Sequence, residues 1–259
     1  MIFRRSKKRD DEQELDAAST GSDDTAVEDV EGAAADELEG GGPAADAADG
    51  QAELDVEELD AREWRTEGPY DISELDGEHE LEGTAELPRI DLGAMVLAGL
   101  PGAELRLQVS EESQQIVSAM LIHGDSALEL GAYAAPRSGG LWSELREEIM
   151  ASATEVGGSA SLAEGPFGVE LRRLIPVTTP EGEQGYQPSR MWVAEGPRWL
   201  LRGIVYGQAA LEDGMDSPVA EMLTAFRSVV VRRGDEAMAP GDLLPLTMPQ
   251  NLVADDQSA

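Results

Sequence analysis

"SRMWVAEGPRWLLRGIVYG", residues 189–207, decides how this chain folds. Glu195 and Gly196 stand between two apolar runs, and a glycine supplies the positive φ that a two-residue hairpin turn requires. With the turn there, Ala194 pairs with Pro197, Val193 with Arg198, Trp192 with Trp199 and Arg190 with Leu201. One face then carries Arg190, Trp192, Trp199 and Leu201, and the other carries Val193, Arg198, Leu200, Arg202 and Tyr206. Both faces are largely apolar, which predicts a sheet covered on both sides. Arginines in such a sheet are part-buried and need partners.

The flanking sequence supplies more strands. In "ELRLQVS", Leu105, Leu107 and Val109 alternate with Glu104, Arg106 and Gln108, the period of a half-buried strand. "IVSAMLI" and "ALELGAYA" follow around "HGDS", whose Gly124 and Asp125 favour a tight turn. "PFGVELRRLIPV" places Phe167, Val169, Leu171, Ile175 and Val177 on one parity, which Arg173 shares. Either a bulge at the paired arginines resets the register or Arg173 enters a packed layer.

Two helices interrupt the strands. "GGLWSELREEIMASATEVGG" repeats Trp142, Leu145, Ile149, Ala153 and Val156 at helical spacing, with Glu144, Arg146, Glu147 and Glu148 expected outward. "DSPVAEMLTAFRSVVV" puts Ser217 at the N-cap and Pro218 at the first helical position. Val219, Met222, Leu223 and Phe226 form its inward stripe, before a short terminal strand.

The ends differ from the middle. Residues 1–80 hold 27 acidic and 7 basic side chains, a net of −20 of the chain's −34. Their Asp, Glu, Ala and Gly cannot bury enough apolar surface to offset chain entropy, so residues 1–64 are expected to be disordered. Within them "AELDVEELDAREW" is a candidate short helix for a partner. A single domain is expected over 65–235, with 236–259 as an extended tail. Such a domain buries about 70% of its unfolded surface, enough for a stable core.

The composition narrows the function. There is no cysteine, and "MIFRRSKKRDD" leads into no apolar run of the about 7 to 15 residues of a signal peptide. No window reaches the about 18 apolar residues of a membrane span, so a cytoplasmic location is expected. A charge of −34 argues against nucleic acid or a membrane as a direct partner. No phosphate-binding glycine loop, nucleophile elbow or calcium loop is present, and the histidines are His79 and His123 alone. No cofactor, metal or catalytic residue is therefore assigned.

What remains is a group of arginines and aromatic residues: Arg173, Arg190, Arg198, Arg202 and Trp199, with Arg137, Arg172, Trp142, Trp192 and Tyr206 nearby in the pattern. Guanidinium groups on apolar strands can converge on a carboxylate or phosphate. The competing reading pairs them with acids of the same chain, such as Glu129, Glu144 and Glu170, or packs their stems along the sheet.

Three segments carry a family resemblance: "ELGAYAAPRSGGLWSELREEI" (129–149), "GPFGVELRRLIPV" (165–177) and "VAEGPRWLLRGIVYGQAAL" (193–211). With the "MIFRR" start, followed by two lysines, and the acidic segment, they resemble the actinobacterial domain-of-unknown-function family 3710, over about residues 65–232. That family has no established activity, so the resemblance assigns no site residues. The order of elements also resembles the fold of photosystem II PsbP proteins and the Ran-binding protein Mog1, used mainly for binding. The expectation is thus an α+β domain of the PsbP/Mog1 type, an α/β/α sandwich with a twisted antiparallel sheet flanked by two main helices. Its expected role is a non-enzymatic protein-binding or scaffolding module. The alternative is a domain that binds a small anionic metabolite through Arg173, Arg190, Arg198, Trp199 and Arg202.

Overall fold

Seven antiparallel strands form the main sheet of the computed structural model, which describes residues 54–76, 88–179 and 182–249. The strands are β4 (Glu104–Val109), β5 (Ile116–His123), β6 (Ser126–Ala134), β7 (Ser159–Gly165), β8 (Gly168–Thr178), β9 (Gln184–Gly196) and β10 (Trp199–Gly207). They run in the order β4-β5-β6-β10-β9-β8-β7. A second, four-stranded sheet, which the sequence pattern did not suggest, orders β1 (Tyr70–Asp71), β11 (Val230–Val231), β3 (Met95–Ala98) and β2 (Arg89–Asp91). The helices are α1 (Val56–Asp60), α2 (Leu141–Glu155), α3 (Gln208–Leu211) and α4 (Val219–Arg227). No described helix is long and apolar enough to cross a membrane.

The turn of the deciding hairpin lies at Pro197 and Arg198 rather than at Glu195 and Gly196. Trp199 pairs with Gly196, Leu201 with Ala194, Arg202 with Val193 and Gly203 with Trp192. Arg198 itself adopts the left-handed conformation, at φ 65°. Gly196 is needed for contact, because a Cβ there would lie 2.1 Å from Trp199 Cε2, across which the indole is laid. The partner strand is displaced by four residues from expectation. An even displacement leaves every side chain on its assigned face.

Those faces build two cores. Trp192, Ala194, Trp199, Leu201 and Val205 pack with Val219, Met222, Leu223 and Phe226 of α4 and with Met95, Leu97 and Val231 of the small sheet. On the opposite face Leu171, Met191, Val193, Leu200 and Ile204 lie beneath Leu141 and Trp142 of α2, with Leu145, Ile149 and Met150 packed alongside. This second layer stops short of the sheet's far side. Among the described residues no side chain of β4 or β5 joins it, and none of β7 joins the first core, where Ser159 and Ser161 are exposed, so each face of the sheet is covered in part.

The ladder from β8 to β9 runs without a bulge, placing Leu171 opposite Met191 and Arg173 opposite Ser189. Arg173 therefore enters the layer on the α2 side, the second of the two readings. Helix α2 gains a cap that its own sequence lacks. The Glu195 carboxylate accepts the backbone N–H groups of Gly140 (3.1 Å), Leu141 (2.8 Å) and Trp142 (3.3 Å), setting a negative charge at the positive helix end. Ser217 does not cap α4; the helix begins at Val219 and the Ser217 hydroxyl donates to Glu221 at 2.8 Å.

Both domain edges extend further than expected. Helix α1 falls in the segment expected to be disordered, yet Leu59 is buried, and the bare backbone of Gly168 lets its carbonyl approach where a Cβ would sit 2.5 Å away. Asp60 accepts two bonds from Arg146, at 2.6 and 2.7 Å, which buries an arginine expected on the outer face of α2. Trp64 meets the Phe167 ring edge-on at 6.0 Å. The helix predicted for a partner thus packs on its own domain. Residues 1–53, the rest of the expected disordered segment, lie outside the described residues, as do 250–259.

At the other end the expected tail is docked. Strand β5 pairs with β6 only as far as Leu130. Beyond it Leu244 N–H donates to Ala132 (2.9 Å), Gly241 N–H donates to Ala134, and Ala134 N–H returns a bond to Asp242, both at 2.8 Å. Leu244 and Leu246 are buried in the core beneath α4. The tail is extended, as expected, and its residues 241–244 complete the edge of β6.

Candidate functional site

The five candidates do not form one site, because the alternation of β9 and β10 sends them to opposite faces. Arg190 is 0% exposed and shares the Trp192 face with Glu170. Its Nη2 donates to Glu170 Oε2 at 3.0 Å and its Nε to the same carboxylate at 3.2 Å, while Nη1 reaches the carbonyls of Glu212 (3.1 Å) and Gly214 (3.0 Å). Glu170 also accepts Arg172 Nε and Trp192 Nε1, each at 2.8 Å. The Arg190 donors are committed to the chain itself, so for this residue the internal-pairing reading describes the geometry.

Trp199 is likewise committed. Its indole N–H donates to Asp71 Oδ2 at 2.7 Å within the core that joins the two sheets. Arg198 occupies the turn, where its carbonyl accepts Ala135 N–H at 2.9 Å and Arg233 Nε at 3.0 Å.

Arg173 and Arg202 are different. Both lie on the α2 side of the sheet, where β10 carries Leu200, Arg202, Ile204 and Tyr206 and β6 carries Glu129 and Tyr133 opposite them. The Arg202 guanidinium stacks on the Tyr133 ring at 5.0 Å, and the Tyr206 hydroxyl donates to Glu129 Oε2 at 3.1 Å. Arg173 lies close to Tyr206, Arg202 and Glu129, and its Nε is buried with no hydrogen-bond partner. Neither arginine forms an ion pair among the described residues, whereas Arg172 and Arg190 do. Two guanidinium groups thus share one carboxylate, leaving a local excess of one positive charge.

The electrostatics follow the same geometry. Burial holds the Arg173 guanidinium below the ordinary arginine value, with Tyr206 opposing that shift and Arg202 adding to it. Burial, reinforced by the Glu129 charge, pushes the Tyr206 phenol up to about 12 from its ordinary 10.0. Burial also raises Tyr133, against the pull of Arg202. A proton held more tightly in the folded state stabilises it fully below the unfolded value, and that contribution is lost as pH rises through the folded value. Between pH 10 and 12 the wild-type urea midpoint should therefore fall more steeply than that of Tyr206→Phe, a difference readable beside tyrosinate absorbance. Parallel pH slopes for the two proteins would contradict this account.

Arg173 also lines a cleft of about 490 Å³ between the C-terminal half of α2 and β8, with Ile149, Ala153, Val156 and Ile175 as apolar walls. Parity in "VELRRLIPV" offered this layer for Arg173 as one of two readings, the other being a bulge. Glu129 was among the acids expected to meet these arginines, but nothing in the sequence marked Tyr133, which belongs to a strand some 40 residues away. Among the described residues there is no group of three or more His, Asp or Glu that could hold a metal ion.

This is an α+β domain dominated by antiparallel sheet, with one closed arginine network and one open cluster. The chain belongs to the family described as "Protein of unknown function (DUF3710)", whose model matches residues 68–255 and so takes in the docked C-terminal segment. No curated protein matches. Among solved structures, the chain is similar to the solution structure of cyanobacterial PsbP (CyanoP) from Synechocystis sp. PCC 6803, at 14% identity and TM-score 0.35, over 57% of this chain and 94% of that one. It is also similar to a crystal structure from Bacteroides thetaiotaomicron, at 14% identity and TM-score 0.31, over 56% of this chain and 47% of that one.

Proposed function

We propose that the chain is a non-enzymatic protein-binding module that engages a partner with the free end of the β8–β9 ribbon. One observation carries this reading. Strand β7 stops pairing with β8 at Leu174, and β10 pairs with β9 only from Arg190 onward, so residues 175–178 and 184–187 pair with each other alone. Val177 and Tyr186 on this projecting arm are 37% and 59% exposed, and Leu174 at its base is 39% exposed. Leu174, Pro176 and Tyr186 share one face of the arm and Val177 lies on the other, which gives a chain of net charge −34 an arm with apolar side chains on both faces. Exposed apolar patches of this kind mark interaction surfaces. Pro176 and Pro188 lack the N–H that an incoming strand would pair with, so contact is made through side chains rather than by strand addition.

The partner is a protein with an apolar recess rather than a polyanion, and the cysteine-free composition suits a cytoplasmic site of action. The double variant Val177→Ser, Tyr186→Ser tests this in cross-linking from native cells. The expected result is a cross-linked partner that wild type captures and the variant loses, at an unchanged melting temperature. A partner captured equally by both proteins, or by neither, would overturn the arm as the binding surface.

A further inference from the structure

The cleft beside α2 has a chemistry that the arm does not use. Four apolar side chains, Ile149, Ala153, Val156 and Ile175, wall it, Ser152 adds a hydroxyl, and Arg173 supplies a cation. Its volume of about 490 Å³ falls in the range of small-molecule sites, about 300–1,000 Å³. A buried donor without a partner is costly, and native structures rarely leave one unexplained; Arg173 Nε is such a donor. The ligand that satisfies both features has an anionic head for the guanidinium and an apolar body for the walls.

The charge of that head is limited from two sides. Glu129 stands behind Arg173 in the tyrosine cluster, and Glu148 lines the cleft itself. With Glu148 counted, these two carboxylates balance Arg173 and Arg202 before any ligand enters, so each negative charge beyond the one that Arg173 meets directly adds repulsion. A dianionic phosphate would meet repulsion where a single carboxylate would meet a forked donor. We infer that the cleft between α2 and β8 binds a small monoanionic carboxylate with an apolar body, its head on Arg173 and its tail along Ile149, Val156 and Ile175.

The test uses the full chain with three probes: octanoate, octanol and inorganic phosphate. With octanoate at about ten times its Kd, the melting temperature should rise by about 3–6 °C, and calorimetric titration should give a single site. Octanol, with the same body and no charge, and phosphate, with charge and no body, should leave the melting temperature unchanged. Arg173→Met should weaken octanoate at least tenfold. Val156→Glu sets a carboxylate at the cleft from a residue 55% exposed, and so disturbs no packing. It should weaken octanoate to a similar degree and decides the matter if Arg173→Met does not fold. The arm variant Val177→Ser, Tyr186→Ser should bind octanoate as wild type does, which separates this site from the partner surface. The assignment is overturned if octanol stabilises as much as octanoate, if phosphate does so, if both cleft variants bind octanoate with wild-type affinity, or if octanoate gives neither heat nor shift.

Discussion

Glu170→Ala should lower the stability of the domain by about 3–5 kcal/mol, the range for removing one partner of a buried ion pair. Glu170 is 1% exposed and holds Arg190 (0% exposed), Arg172 and the Trp192 indole N–H together. Without it Arg190 keeps its bonds to the carbonyls of Glu212 and Gly214, which hold the guanidinium in place. The charge is then buried and unopposed. Arg172 lies nearer solvent and retains Asp213, itself exposed, so Arg172→Ala should cost far less. The replacement of both partners, Glu170→Met with Arg190→Met, removes the desolvated charges together and should recover most of the loss. Urea unfolding at constant m-value measures all three proteins. A single Glu170→Ala protein within about 1 kcal/mol of wild type would mean that the network carries no such burden.

That network also shows where reading from the sequence stops. The alternation in "SRMWVA" and "PRWLLRG" correctly divided the side chains between two faces, and helical spacing correctly chose the buried stripe of α4. The same alternation already separated Arg190 from Arg202, so the two could never have converged on one ligand. Register was harder to read. Glu195-Gly196 has the chemistry of a turn, yet the glycine is required by a tryptophan three residues on and the glutamate by a helix whose first residue lies 54 positions earlier. The partners that close charges are as distant: Glu170 for Arg190 at 20 residues, Asp60 for Arg146 at 86, Asp71 for Trp199 at 128. No local period encodes a contact across such a span. The open cluster was half legible, since parity offered Arg173 an inward place, with a bulge as the alternative, and Glu129 stood among the candidate partners. Its identity as a site depends on Tyr133, Tyr206 and Glu129 meeting it across the sheet.

Trp199 gives the second large expected effect, and its size separates architecture from ligand binding. The indole is fully buried, covers Gly196 and donates to Asp71, which anchors β1 beside β11. Trp199→Ala removes this volume from the larger core and should cost about 3–5 kcal/mol. Trp199→Phe keeps most of the ring but leaves Asp71, 6% exposed, with its bonds from Ser73 alone among those that hold Oδ1 and none at Oδ2. An unsatisfied buried acceptor of this kind costs about 1–3 kcal/mol. If the pair acts as one unit, Asp71→Asn and Trp199→Phe combined should cost less than the sum of the two single changes, by about 1 kcal/mol, in a double-mutant cycle. Hydrogen exchange at Tyr70, whose N–H donates to the Val229 carbonyl, should rise in Trp199→Phe before exchange in β8 and β9 does. Octanoate binding in that variant should stay at the wild-type level, because Trp199 lies on the face away from Arg173. A Trp199→Phe protein that kept wild-type stability but lost octanoate would return Trp199 to the ligand site and remove it from the frame.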